Sequence, residues 1–449
     1  MVPNMTDATV KFTRTQRTSR EISKEIGFNP DFSASNELVE YRKAAWSQWL
    51  SLPFPNEKDE DWRRTSVQNL NLEGYKEASV ISYQDSQIPQ HLNRSLTEKN
   101  QGGRVFISGS KIDIFLAKEI EEQGVVFTDF LTAMDNHPGL LRKLLEKSAN
   151  RNEYKFAELT AAISTNGILL YVPRNVKVGK PLQSITWLSG EGILQTSHIV
   201  VFLEEGAEVT YVHETSSPEK MEGQSLHTGL FEIRVGPEAR LNFVELQSLG
   251  VNVWNISHET VTLDNDSHVD WIFGALGSKV TKNFSHLNLA GRGATGKMSG
   301  FYFTNGNQHL DHDTQQNHLA PNTTSDLLFK GALLGESRSI WQGMIYVDPK
   351  ASKTDGYQAN RNLVLSKKAR ADSIPGLEIL TDDVRCTHGA TVGKIDQDLV
   401  FYLQSRGLPK KEAEKLIVEG FFDPIMQRIP FDNVRQRFQN AIEEKMSSY

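Results

Sequence analysis

The sequence has few of the features that would place it outside the cell or inside a membrane. It contains one cysteine, Cys386, so the chain cannot form an internal disulfide or a four-cysteine metal site by itself. It has no run of 18 uncharged apolar residues, and we therefore expect no membrane-spanning segment. Its first thirty residues lack the apolar core of a secretory signal. These absences together predict a cytoplasmic protein.

The sequence also lacks a basic excess and a complete phosphate-binding loop. Its 49 Lys and Arg residues are outnumbered by 56 Asp and Glu residues, giving a net charge of −7. Nucleic-acid binders and proteins of anionic membranes usually carry a positive balance, so we expect neither partner. The stretch from Gly291 to Lys297 resembles a phosphate loop, but Met298 replaces the Ser or Thr that would hold Mg²⁺. The chain is therefore not expected to be an ATPase itself.

The 449 residues are enough for two or three domains. Residues 1–155 form a mixed, mainly helical region, in which Leu38, Tyr41, Ala45 and Trp49 recur at helical spacing. Residues 156–393 consist of short β-branched and aromatic runs separated by turns. Residues 394–449 return to helical spacing and form a C-terminal helical domain, with Asp396 as a helix N-cap. Within it, Asp423-Pro424 is predicted to begin a short separate helix.

The turns of the central region recur at a nearly constant interval. Turns beginning at Gly206, Gly236, Asp266 and Gly293 are separated by 30, 30 and 27 residues. A fixed period with little residue identity is typical of a β-solenoid, in which each coil stacks on the previous one. The sequence thus favours a mainly β protein with a parallel β-helix core. An antiparallel β-sandwich with coincidental spacing is the alternative.

Three histidines lie close together in His309-Leu-Asp-His-Asp-Thr-Gln-Gln-Asn-His318. Because strand residues alternate between faces, His312 and His318 share one face and His309 lies on the other. Such residues can bind Zn²⁺ or Fe²⁺, which would make the chain a stand-alone His-rich metal-binding β protein. The split of the ligands between faces favours a polar ladder instead.

A second candidate site is Cys386-Thr-His388. In an extended strand Cys386 and His388 share a face, about 6.5–7 Å apart along the backbone. A thiolate and an imidazole in this arrangement can ligate a soft metal ion or a cluster, provided that a partner chain completes the coordination. The alternative is a small buried cysteine beside a hydrogen-bonded histidine.

The same segment resembles the SufB/SufD family of SUF iron–sulfur cluster assembly proteins. The resemblance is carried by the run from Cys386 to Ile395 and by Asp398-Leu-Val-Phe-Tyr-Leu-Gln-Ser-Arg-Gly-Leu408. Five further runs fit the same family: Gly331-Ala-Leu-Leu334, 355–366, 375–380, Gly420-Phe-Phe422 and Asp61-Trp-Arg-Arg-Thr65. The chain is more similar to SufD than to SufB. SufB-like chains have His-Glu-Ala-Thr-Thr-Ser at His388, and they place a cluster-building cysteine where Asn360 stands here.

The resemblance implies a fold and a non-catalytic function. It implies a right-handed parallel β-helix flanked by helical N- and C-terminal domains. It implies a scaffold subunit that pairs with a SufB-like paralogue and with a SufC-like ABC ATPase, or forms a homodimer when alone. A transient Fe–S cluster would be held at the SufB interface by His388, its metal ligand, with Cys386 beside it. No cofactor would be tightly bound by the chain alone, although reduced flavin (FADH2) is associated with family complexes.

The ATPase is expected to dock on the C-terminal helical domain, where the candidate contacts are Tyr402, Arg406, Phe421 and Phe422. The Phe and Tyr side chains can instead be core residues. One rival function is an exported-type β-helix carbohydrate-active enzyme, which would need clustered carboxylates on one face of several coils. The His-rich metal-binding protein is the other.

Overall fold

The structure is a computed structural model that describes residues 26–33, 37–81, 101–146, 154–429 and 432–447. The helices in these residues are α1 (Glu37–Ser51), α2 (Lys118–Glu121), α3 (Phe130–Asn136), α4 (Pro138–Glu146), α5 (Lys155–Ile163), α6 (Gln397–Ser405), α7 (Lys410–Met426) and α8 (Asp432–Ser447), with 3-10 turns at Glu60–Trp62 and Ala78–Val80. In the part of the chain that is described, no helix has the length and hydropathy needed to cross a bilayer.

In the described part of the chain, twenty strands make up two long sheets. They are β1 (Lys76–Glu77), β2 (Gly103–Ser108), β3 (Lys111–Leu116), β4 (Val126–Asp129), β5 (Ile168–Val172), β6 (Leu182–Trp187), β7 (Ile193–Leu203), β8 (Glu208–Ser216), β9 (Ser225–Val235), β10 (Arg240–Ser248), β11 (Val253–Leu263), β12 (His268–Ala275), β13 (Val280–Leu289), β14 (Thr295–Thr304), β15 (His309–His318), β16 (Thr324–Leu333), β17 (Arg338–Val347), β18 (Thr354–Val364), β19 (Arg370–Ile379) and β20 (Val384–Gly393).

The core is a parallel β-solenoid, as the turn spacing predicts. Odd-numbered strands from β5 to β19 form one sheet and even-numbered strands from β6 to β20 form the other, and each coil contributes one strand to each sheet. All pairs between coils are parallel, and partner residues are offset by 26 residues between β11 and β13 and by 32 between β8 and β10. At the N-terminal end, β3 and β4 pair antiparallel with β2 and β5. The antiparallel sandwich is therefore wrong for the core.

One corner of each coil except the last has a residue with positive φ. These residues are Asn175, Gly206, Glu238, Asp266, Gly293, Asn322 and Lys353. The N–H of each donates to a carbonyl of the next coil, as from Gly206 to Pro237 at 2.9 Å and from Asp266 to Arg292 at 2.8 Å. Positive φ is an unfavourable backbone conformation for most residues. The cost is lowest for glycine, and it is smaller for asparagine and aspartate than for other residues. The recurring Gly and Asp turns seen in the sequence form this corner in successive coils.

The N-terminal region covers the outer face of the odd-numbered sheet. Trp62 packs against Phe156 of α5 and against Phe284 of β13, with ring centroids 5.9 Å apart in both pairs. Helix α5 lies inside the range that was predicted to be β, and the first core strand after it begins only at Ile168. The N-terminal region also supplies β1 to β4, which extend both sheets.

The C-terminal helices cover part of the outer face of the even-numbered sheet. Phe422 and Phe438 pack on Phe301 of β14, at centroid distances of 6.1 and 5.9 Å. The prediction that a new helix begins at Asp423-Pro424 is wrong, because α7 continues through Pro424 to Met426. A proline this close to the helix end removes one backbone hydrogen bond without disrupting the turns before it. Asp396 caps α6, accepting the Asp398 N–H at 2.9 Å, as predicted.

Candidate functional site

The last coil of the solenoid has no further coil on it within the described residues. Strand β19 pairs only with β17 and β20 only with β18, so each sheet ends in a strand with one free edge. Apolar side chains at this end are open to solvent, with Val392 50% and Leu380 49% exposed. A free strand edge is a surface on which another chain can pair.

Cys386 and His388 both lie on β20, on the inward-facing side of this coil. Cys386 is in register with Gly356 and His388 with Gln358, whose side chain is fully buried inside the solenoid. Cys386 is partly buried and packs with Ile345 and its neighbours, whereas His388 is exposed. The structure therefore places the two residues on one face, as strand alternation predicts, and presents the imidazole at the open end.

Burial keeps the Cys386 thiol protonated. Loss of solvent raises the pKa of the thiol above its usual value, and the Asp355 carboxylate adds to the rise. The Gly356 N–H acts in the opposite direction by favouring the thiolate. Because only a thiolate binds metal strongly, Cys386 must lose its proton when it becomes a ligand.

Asn360 lies one coil below, where SufB-like chains are expected to have a cysteine. Its amide is buried and accepts from Asn362 Nδ2 at 2.5 Å, while its own nitrogen lies 3.3 Å from the Tyr302 hydroxyl. Ser373 also donates to the Asn360 oxygen. Asn360 thus links both sheets through hydrogen bonds and contributes no sulfur.

The three histidines of β15 are not brought together. His312 is buried inside the solenoid, with ring centroids 5.0 Å from Phe273 and 5.3 Å from Tyr302. His309 lies on the outer face and contacts the Thr65 hydroxyl at 2.8 Å. In the part of the chain that the structure describes, no three His, Cys, Asp or Glu side chains form a group that could hold a metal. The split between faces is the one that the sequence predicts.

The candidate ATPase contacts differ in their exposure. Tyr402 and Arg406 are exposed on α6, where the guanidinium lies 4.9 Å from the Tyr402 ring and donates to its hydroxyl at 2.8 Å. Phe422 is fully buried in the core, so it has no surface to offer a partner. Phe421 is partly buried beneath the Lys330 ammonium, 4.9 Å from its ring centroid.

Sequence reasoning missed the most exposed apolar side chain of the C-terminal helices, Phe401, which is 72% exposed. Leu399 on the same helix and Leu416 on α7 are also exposed. Grouped exposed apolar side chains are frequent at interaction sites, so this group is a candidate contact surface. A count of apolar residues around α6 could have found it, since α6 has more of them than one buried face needs.

Comparisons with known proteins place this architecture. Residues 186–421 match the model of the SufBD core domain of the SUF system for Fe–S cluster assembly, and residues 31–184 match the SufBD N-terminal region. Curated relatives include iron–sulfur cluster assembly SufBD family proteins of Staphylococcus epidermidis and Staphylococcus aureus. Each is 30% identical over 317 residues, which cover 71% of this chain and 68% of the relative.

Proposed function

The chain belongs to the SufBD family, and from this premise we propose that it is the SufD-like scaffold subunit of a SUF complex. Family membership connects the chain to iron–sulfur cluster assembly. In the proposal the chain catalyses no reaction of its own. It pairs with a SufB-like paralogue, docks a SufC-like ABC ATPase and supplies ligands for a cluster that is built at the interface and then transferred.

The observation that carries the proposal is the position of His388. It is exposed on the inward face of the last coil, where no further strand covers it in the described residues, and Cys386 shares that face. A cluster held between two chains needs ligands that are exposed in each chain before they pair. A neutral imidazole can ligate iron without losing a proton.

The rest of the coordination is assigned to the paralogue. The position at which SufB-like chains are expected to have a cysteine is occupied here by Asn360, whose amide is hydrogen-bonded to Asn362 and Tyr302. An amide cannot accept a sulfur atom, so the main sulfur acceptor belongs to the partner. The free edges of β19 and β20, with exposed Leu380 and Val392, supply the pairing surface.

The ATPase is assigned to the exposed apolar surface of the C-terminal helices. This surface is formed by Leu399, Phe401, Tyr402 and Leu416. The incomplete phosphate loop at 291–298 opens β14 rather than a helix, so it offers no helix N-terminus to a nucleotide. ATP hydrolysis would therefore come from the docked subunit. Reduced flavin, a homodimer and a cytoplasmic location stay predictions, and no step proposed here depends on them.

The test is anaerobic cluster reconstitution on the co-expressed complex. We expect tagged chain to co-purify with a SufB-like chain and an ABC ATPase. His388→Ala should leave both partners bound and the melting temperature nearly unchanged, while reducing cluster formation at least tenfold. Thr387→Ala is the matched control, because Thr387 is an exposed neighbour on the opposite face of β20.

Three outcomes would contradict the proposal. A wild-type cluster yield from His388→Ala would remove His388 as a ligand. Loss of the complex or a lowered melting temperature, with cluster loss in proportion, would make its role structural. Absence of both partners after purification under mild conditions would reject the scaffold function itself.

A further inference from the structure

The run Asp61-Trp-Arg-Arg-Thr65 fits the family, but the proposed function gives it no role. It belongs to residues 60–65, called the strap below, which lie on the outer face of the odd-numbered sheet. Trp62 is buried against β13, and Arg64 donates to Gln342 of β17 at 2.7 Å. The strap therefore spans three neighbouring coils of the solenoid.

The middle coil is contacted through Thr65, which is buried. The Thr65 hydroxyl donates to the Asp311 carboxylate of β15, and His309 Nε2 lies 2.8 Å from the same hydroxyl. Because a hydroxyl has one hydrogen, His309 Nε2 must donate to Thr65. Burial lowers the pKa of His309, so this ring is neutral at pH 7 and adds no positive charge to the contact.

Among the described residues, the charges beneath the strap do not balance. The Lys282 ammonium of β13 lies 3.2 Å from Asp311 Oδ1 and 3.9 Å from Asp313 Oδ2. The Lys282 and Asp311 side chains have no exposed surface, and that of Asp313 is only 19% exposed. The strap adds the negative charges of Glu60 and Asp61, which act on Asp313. One ammonium cannot compensate this many carboxylates, so one carboxyl group favours its protonated form.

Asp313 is the group that holds the proton. Burial raises the pKa of Asp313 to about 7, although the nearby ammonium opposes the rise. The Arg64 guanidinium is separated from Asp313 by the Gln342 amide, whose nitrogen lies 3.4 Å from Asp313 Oδ2. Further along the sheet, Arg338 is paired with Asp372 at 2.7 Å. Neither guanidinium therefore neutralises Asp313 directly.

We propose that the strap binds the solenoid in a proton-dependent manner, such that docking keeps one proton on Asp313 and release of that proton to solvent loosens the strap. When Asp313 ionises, its charge repels Asp311 beside it and Asp61 on the strap. Separation of the strap reduces this repulsion and returns water to Asp313. Because the docked state binds the proton more tightly, docking weakens as pH rises toward about 7 and changes little above it.

The test is amide hydrogen exchange of the isolated full-length chain between pH 5 and 8. The reporters are the Trp62 and Thr65 amides, which donate to the Asp59 and Trp62 carbonyls at 3.0 and 3.1 Å. After correction for the intrinsic exchange rate, their protection should fall by about three- to tenfold per pH unit from pH 5 to 7. Tenfold is the limit for the release of one proton.

Three variants separate the titrating group from the other contacts. Asp313→Asn should keep the strap protected at every pH, because its side chain carries no charge. Thr65→Val should lower protection throughout and keep the wild-type slope, since it removes hydrogen bonds but leaves the proton site. Asp326→Asn is the matched control: this carboxylate is exposed on β16, in the other sheet, and the variant should behave as wild type does.

Protection that does not change with pH in the wild-type chain would overturn the proposal, as would a wild-type slope in Asp313→Asn. If Asp313→Asn does not fold, Asp61→Asn decides, because Asp61 is exposed on the strap. This variant should be better protected than wild type at pH 8 and similar at pH 5, and equal protection at both pH values would reject the proposal. These measurements need neither a partner nor a cluster, so they can fail independently of the proposed function.

Discussion

At the scale of single residues, Cys386 and His388 share one face of β20 but differ in their exposure to solvent. His388 is exposed, whereas Cys386 is partly buried and packs on Ile345. The first is available to an approaching partner without any change in the chain. The second must lose a proton from a thiol whose pKa burial has raised.

This difference predicts a graded response to substitution. In the assembled complex, Cys386→Ala should reduce cluster yield less than His388→Ala does, because the paralogue is expected to supply the main thiolate. Iron and sulfide analysis of reconstituted complex measures both variants. A larger loss from Cys386→Ala than from His388→Ala would contradict the assignment of the sulfur acceptor to the partner.

Two buried titratable residues should give stability changes of opposite sign with pH. Burial lowers the pKa of His312 to about 3, so the unfolded chain takes up a proton below pH 6.5 that the folded chain excludes. Burial raises the pKa of Asp313 to about 7, so the folded chain keeps a proton that the unfolded chain loses above about pH 4. His312 therefore destabilises the fold as pH falls from 6.5, and Asp313 does so as pH rises toward 7.

The measurement is urea unfolding of His312→Phe and Asp313→Asn at several pH values. The stability of His312→Phe relative to wild type should increase by about 1.4 kcal/mol per pH unit below 6.5. That of Asp313→Asn should increase toward neutral pH instead, by a smaller amount because Asp313 is near the Lys282 ammonium. Parallel pH dependences for the two variants would show that neither residue governs the proton balance.

At the scale of elements, the last helix is held to the sheet by an ion pair. Arg437 of α8 donates both terminal nitrogens to Glu214 of β8, at 2.7 and 2.6 Å, and the Glu214 side chain is only 1% exposed. Removing one partner leaves a buried charge without compensation, which typically costs about 3–5 kcal/mol.

We therefore expect Arg437→Met to lower the free energy of unfolding by about 3 kcal/mol or more. The double variant Arg437→Met with Glu214→Gln should recover part of that loss, because residue 214 then carries no buried charge. Chemical denaturation of the wild type, of Arg437→Met and Glu214→Gln as single variants, and of the double variant measures the coupling. If the double variant loses as much stability as the sum of the single variants, the pair does not act as a unit.

Helix α6 carries the prediction for the ATPase. Phe401→Asp should weaken ATPase binding at least tenfold without lowering the melting temperature, because Phe401 contacts solvent rather than the core. Gln404→Asp, an exposed position on the same helix, controls for the added charge. Point changes are preferable to deleting the helices, since deletion would expose Phe301 and Phe303. Retained affinity in Phe401→Asp would place the docking surface elsewhere.

The elements show which features the sequence predicts and which depend on packing. The turns at Gly206, Asp266 and Gly293 revealed the solenoid, because positive φ restricts residue choice at each corner. Helix α5 was missed because every residue from Phe156 to Ile163 is buried, so it has no polar face to produce helical periodicity. Phe422 and Phe401 occupy similar sequence contexts, yet their exposure differs. Phe422 is buried because α7 packs on β14, whereas Phe401 on α6 remains exposed.

Only part of the candidate site could be predicted from the sequence. Strand alternation alone placed Cys386 and His388 on one face, since period two follows from backbone geometry. The exposure of His388 could not be predicted from the sequence, because it depends on β20 having no further strand beside it among the described residues.

At the scale of the whole molecule, two kinds of contact differ greatly in sequence separation. Neighbouring coils pair residues about 30 positions apart, as Thr354 does with Val384. The N-terminal region instead contacts segments far away in sequence, as Arg42 does with the Ala162 carbonyl of α5 and Thr65 with Asp311 of β15. The solenoid can therefore form progressively from short-range contacts, while its outer faces are covered by segments from both ends of the described chain.

The covering of β8 by α8 has a consequence for synthesis of the protein on the ribosome. Glu214 and its partner Arg437 are 223 residues apart, and at translation speeds of about 5–20 residues per second this separation takes roughly 10 to 45 seconds to synthesise. During that interval Val212, Val244 and Phe301 form an apolar surface on coils that already have their parallel partners. The outer face of the even-numbered sheet therefore stays exposed and prone to aggregation until α8 leaves the exit tunnel. We expect chaperones to bind the nascent chain most during that interval.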